Sequence, residues 1–219
     1  MKIDVYHDTV CPWCRVGKRY LDRALAAWDG PHPELVWRPF LLDETVPAEG
    51  VDFRQYMAAR KGEAALEPMF AAVRRAGEAV GLVFRLGRVR YATNTILSHR
   101  LIALAPEERR GGVIDGIHRA YFEDGRDIGV LEELVAIAGE AGVSEMDVRA
   151  AMDDRAGVEA VAREARRARG RGVSGVPLLV FDGAFAVFGA QPSEVLAAAM
   201  RRAAAAPGRF APEPVARVG

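Results

Sequence analysis

The feature that most restricts the fold is where strand-forming sequence occurs: at both ends of the chain, with a long helical stretch between. Lys2–His7 alternates, with Ile3 and Val5 on one face, and reads as a short strand. Val16, Tyr20, Leu21, Leu25 and Trp28 then recur at helical spacing, and Gly30, Pro31 and Pro33 end that helix. Residues 35–40 read as a second strand. A strand–helix–strand unit makes its two strands parallel neighbours. Over 43–154 the periodicity is helical throughout, in segments 52–60, 65–80, 94–105, 107–124, 130–142 and 144–152, punctuated by Gly81, Pro106, Gly125 and Gly142. A helix over 158–169 follows. Leu178–Phe181 and Phe185–Phe188 read as strands joined at Asp182-Gly183, and a last helix covers 192–206. The pattern predicts an α/β domain. Its halves are 1–42 and 155–206, separated by an all-helical insertion at 43–154. A proline-bearing tail follows at 207–219.

Lys plus Arg equals Asp plus Glu, 30 against 30 in 219 residues, so the chain lacks the basic excess of a nucleic-acid binder. No apolar run approaches the roughly 18 residues of a membrane span. Asp4 interrupts the N-terminus before a signal-peptide core could form, so a cytoplasmic location is expected.

The only two cysteines stand in Cys11-Pro12-Trp13-Cys14, where the first strand gives way to the first helix. Two cysteines cannot form a disulfide framework, so the pair reads as redox-active, metal-binding or inert. Residues i and i+3 share a helix face, so the sulfurs can meet. A thiolate at the helix start gains unpaired N–H groups and the positive end of the dipole. This favours Cys11 as nucleophile and leaves Cys14, one turn in and more shielded, as the resolving thiol. Pro12 suits the first helical turn. A structural zinc needs four ligands; there is no second cysteine pair, and His7, His32, His99 and His118 are scattered. No bound metal or organic cofactor is expected. Later, Gly172-Val173-Ser174-Gly175-Val176-Pro177 leads into a strand. Pro177 reads either as a trans residue at a loop end or as a cis-proline, which would expose the Val176 backbone to a substrate strand.

Several stretches together resemble the DsbA family of thioredoxin-like proteins, in particular its FrnE-like subfamily. They are Asp8 to Cys14 with Gly17-Lys18; Asn94-Thr95 and His99-Arg100-Leu101; Ala120-Tyr121-Phe122 with Gly125-Arg126-Asp127-Ile128; and Gly172 to Pro177 with Gly189-Ala190-Gln191. The resemblance spans nearly the whole chain. It implies a thioredoxin fold with a large helical insertion and Lys2–His7 paired to Leu178–Phe181, a cis Pro177 facing the dithiol, and thiol–disulfide exchange with a disulfide- or dithiol-bearing protein or small molecule. It also puts the helix carrying Asn94 and His99 near the active-site groove. Kappa-class transferases and 2-hydroxychromene-2-carboxylate isomerases are similar in architecture but typically carry serine where Cys11 stands. A glutathione-dependent isomerase or transferase, with glutathione as co-substrate, is the alternative. A non-catalytic partner in a biosynthetic pathway is a third reading, against which the intact pair counts.

Trp13 reads as an apolar platform for substrate or as packing against the insertion. Trp28 and Trp37 read as core. His7 could ease proton transfer, or simply end a strand. Arg163, Arg166, Arg167, Arg169 and Arg171 read as a solvated helix end, with anion recognition as the minor reading.

Overall fold

The computed structural model describes residues 1–205. The chain opens with β1 (Lys2–His7), α1 (Pro12–Ala26) and β2 (Glu34–Pro39). β1 and β2 run parallel, from Lys2 opposite Glu34 to His7 opposite Pro39. Next come β3 (Val51–Asp52), α2 (Phe53–Lys61), α3 (Glu63–Glu78), β4 (Tyr91–Ala92), α4 (Ile96–Leu104), α5 (Glu107–Arg119), α6 (Leu131–Glu140) and α7 (Glu145–Met152). The chain then returns through α8 (Arg155–Gly170), β5 (Leu178–Phe181), β6 (Phe185–Phe188) and α9 (Ser193–Ala205).

Four strands form one sheet in the order β2-β1-β5-β6. β5 lies antiparallel to β1, with Ile3 opposite Phe181 and Tyr6 opposite Leu178. The two distant ends of the chain therefore close on each other as the thioredoxin-like resemblance implies. Asp182 and Gly183 turn the β5–β6 hairpin at φ 49° and 67°, backbone that most side chains resist. Asp182 also receives the Lys2 amide at 2.7 Å, which ties the hairpin to β1.

One face of the sheet buries Ile3, Val5, Leu179 and Phe181 with Leu21 of α1 and Leu196 and Met200 of α9. The other packs Tyr6, Phe40 and Leu178 against Ala168 of α8. The insertion has its own core, including Leu101, Ile114, Ile117, Phe122, Leu134 and Ile137.

The insertion is not all-helical. β3 and β4 pair through Val51–Ala92 and Asp52–Tyr91. Such a two-residue ladder leaves no alternation in the sequence to detect. The stretch 107–124 also divides: α5 ends at Arg119, and residues Ala120–Asp124 form a wider π turn closed by Gly125 at φ 73°. Ala120, Tyr121 and Phe122, consecutive in sequence, are all buried in this turn. Among the described residues no helix is long and apolar enough to cross a membrane. The tail at 207–219 lies outside the described residues.

Candidate active site

β1 ends at the buried His7, the buried Asp8 and Thr9 follow, and α1 begins at Pro12. Cys11 is the residue before the first turn, in extended backbone (φ −88°, ψ 112°), and Pro12 takes the first helical position. The Cys14 amide is shared between Cys11 Sγ at 3.4 Å and the Cys11 carbonyl at 3.1 Å, so an N–H of the first helical turn points in part at the sulfur. The first turn contains no acidic residue. Both thiols are free. Cys14 and Cys11 are almost equally shielded, at 3% and 4% exposed. Their difference lies in what each faces. Cys11, together with Trp13 and Val176, lines a cavity of about 520 Å³. Burial, and then the neighbouring Cys11, push the Cys14 thiol well above its ordinary range.

The Val176–Pro177 bond is cis. Cys11 Sγ lies 3.8 Å from the Val176 carbonyl, to which its S–H donates. Pro177 packs directly on α1 at Gly17. A Cβ there would stand 3.1 Å from Pro177 Cγ, tighter than ordinary contact. Gly17 thus permits the close approach of loop and helix, although in the sequence it is only one glycine among 22.

Near the dithiol lies a set of buried polar groups whose mutual contacts the sequence does not reveal. Asp8 Oδ2 receives the Leu42 amide at 2.7 Å, while Oδ1 meets no hydrogen bond and lies 3.5 Å from His99 Nε2. Thr9 and Ser98 join through their hydroxyls at 2.7 Å. His7 packs edge-on against Trp37 and His99, at 5.1 and 5.0 Å between ring centres, and among the described residues neither of its nitrogens has a hydrogen-bond partner. Burial, reinforced by the charges of His99, His118 and Lys18, holds His7 well below the ordinary histidine range. His118 is depressed in the same way, first by burial and then by Arg15 and Lys18. The acidic group whose charge bears on Cys14 is Asp8.

Asn94 does not line the cavity from a helix. It precedes α4, its Nδ2 donates to the Val46 carbonyl at 2.8 Å, and its Oδ1 receives the Ile96 amide at 3.1 Å. Its amide pins the loop after β2, while Thr93 and Thr95 on either side face the cavity. Trp13 is 41% exposed at the cavity wall. Trp28 and Trp37 are half-buried against the sheet core. In the arginine series, Arg169 binds Glu44 and the Leu41 carbonyl and covers the Phe40 ring. Arg163 pairs with Glu159. None of the five arginines lines the cavity beside Cys11.

A dithiol at a helix start, facing a cis-proline loop on a β2-β1-β5-β6 sheet, defines a thioredoxin-fold protein with a helical insertion. The DsbA-like thioredoxin domain model matches residues 2–201, and the chain belongs to that family, with Cys11 and Cys14 as its Cys-x-x-Cys pair. It is similar to the crystal structure of the probable DsbA oxidoreductase SCO1869 from Streptomyces coelicolor: 32% identity, 99% of this chain and 94% of that one, TM-score 0.82. The Bacillus subtilis protein YwbO is 27% identical over 159 residues, 70% of this chain and 72% of that protein. A 2-hydroxychromene-2-carboxylate isomerase structure shares the fold at 16% identity, with a TM-score of 0.67 over 93% of this chain and 96% of that one.

Proposed function

We propose that this DsbA-like oxidoreductase exchanges disulfides through Cys11 as nucleophile and Cys14 as resolving thiol, within the FrnE-like branch of the family and in the cytoplasm. The observation that carries the assignment of roles is that Cys11, and not Cys14, faces the cavity while receiving a helix N–H. The Cys11 thiolate attacks one sulfur of a substrate disulfide. A mixed disulfide forms and the other substrate sulfur leaves as a thiolate. Cys14 then loses its proton and attacks Cys11 Sγ. The first substrate sulfur leaves, the two thiols become a disulfide, and the substrate has gained two electrons. In the reverse direction the protein oxidises a dithiol.

The buried Cys14 thiol is reluctant to ionise, so the second step needs a proton acceptor. We assign that role to Asp8, whose Oδ1 receives no hydrogen bond among the described residues and whose charge is felt at Cys14. Presence of both thiols supports this reading over glutathione-dependent isomerisation, which needs no resolving thiol.

The test is trapping. Cys14→Ser should accumulate a mixed disulfide on Cys11, identified by mass spectrometry, and Cys11→Ser should accumulate none. A trapped adduct on Cys14, or turnover without either cysteine, would overturn the assignment.

A further inference from the structure

Beside Cys11 the insertion contributes most of the wall of the 520 Å³ cavity. Phe53, Met57, Met69, Phe70, Val73 and Phe122 supply an apolar lining from α2, α3 and the π turn. Phe53 and Phe70 stack with their rings 16° from parallel. Two cations at the end of α2 also line it. Arg60 is occupied by Asp43 and lies over the Tyr56 ring. Among the described residues the Lys61 ammonium has no ion-pair or hydrogen-bond partner.

We infer that the disulfide attacked by Cys11 belongs to a low-molecular-weight organic compound, with an aromatic or branched apolar body and a carboxylate that meets Lys61. This deepens the function proposed above and rests on it. A cavity of several hundred Å³ with mainly apolar walls matches a small ligand in size and chemistry. The unbranched methionines can adapt to a ring, and their sulfurs favour aromatic contact. Lys61 is exposed, so its ion pair orients the compound and adds only modestly to binding. With this substrate the bond from Cys11 Sγ to one organic sulfur forms as the organic S–S bond breaks. Closure of Cys11–Cys14 then releases the second thiol, and each departing thiolate takes up a proton. An external dithiol such as dithiothreitol returns the protein to its reduced state.

The experiment uses the full chain, reduced beforehand, in single turnovers with four disulfides. These are bis(carboxyphenyl) disulfide, its uncharged carboxamide analogue, bis(hydroxyethyl) disulfide and insulin. Each rate is divided by that of the same compound with free glutathione, which removes intrinsic reactivity. The carboxyphenyl compound should be favoured over bis(hydroxyethyl) disulfide by at least about tenfold, the discrimination expected of a fitted apolar pocket. Lys61→Gln should bring the carboxylate and carboxamide rates together. Met57→Gln should lower the preference for both aromatic compounds. Thermal melts check that each variant is folded. The inference is overturned if insulin is the preferred substrate, if wild type shows no aromatic preference, or if the ratios survive both substitutions. If none of the four oxidises the dithiol, the exchange function itself falls with it. Ordinary exchange without preference removes only the substrate class.

Discussion

The sheet unit and the insertion each bury an apolar core, while the seam between them buries charge and hydrogen-bonding groups. Ile3, Phe181, Leu196 and Met200 fill the first core, and Leu101, Ile114, Ile117 and Leu134 fill the second. At the seam Arg15 donates to the Val83 carbonyl at 2.7 Å, pairs with Glu123 and lies over the Phe84 ring. Lys18, one turn further along α1, reaches Asp22 and Asp115 at 2.9 and 2.8 Å. His7, Asp8, His99 and His118 are buried in the same region. Apolar burial stabilises without direction, at roughly 25 cal/mol per Å². Buried ion pairs and hydrogen bonds add little net stability, because desolvation offsets them, but they tolerate few arrangements. The contrast assigns different work to the two kinds of region. The cores hold each unit together, and the seam fixes how the insertion sits over Cys11.

The largest expected effect comes from a core. Phe181→Ala, at a fully buried site, should cost about 3–5 kcal/mol in urea unfolding, from lost burial and the cavity left behind. Arg15→Ala tests the seam. Its guanidinium is buried, but Glu123 is partly solvated and can rehydrate, so a loss of about 2 kcal/mol is expected. A cost above that of Phe181→Ala would break the contrast. An unchanged midpoint would show that the seam contributes nothing to stability.

The smallest effect is on pH dependence. His7 and His118 are held neutral by burial in the folded chain, whereas the unfolded chain protonates them near their ordinary value. Below about pH 6.5 the unfolded chain therefore binds more protons, and stability falls as pH drops. The slope should approach about 1.4 kcal/mol per pH unit for each histidine, continuing down to the folded-state values. Above about pH 6.5 this contribution is complete and flat. Urea midpoints between about pH 5.5 and 6.5 should show the slope, and His118→Phe should roughly halve it. A slope unchanged in His118→Phe would mean that the seam histidine is not held neutral.

Much of the fold can be read from local pattern. The alternation at Lys2–His7, the turn at Asp182-Gly183 and the helical spacing of Val16, Leu21 and Leu25 each report which face is apolar, and that suffices to place the main strands and helices. The π turn at Ala120–Asp124 escapes the same reading because its three consecutive buried residues look like one more helical turn. The β3–β4 ladder escapes it because two residues carry no period.

The sequence by itself determined that Cys11 and Cys14 stand at a helix start after a strand, because that depends on neighbours a few residues apart. It also determined that strands stand at both ends of the chain around a helical stretch, because apolar spacing and turn residues are local. Only the tertiary structure decided that Asp8 meets His99, that Asn94 holds the Val46 carbonyl, that Gly17 admits Pro177, and that α2 and α3 line a cavity beside Cys11. Hydrophobic periodicity says that a face must be covered. It does not say by which distant segment, because apolar burial is non-directional and partner choice rests on shape and hydrogen-bond geometry that exist only once the chain has closed.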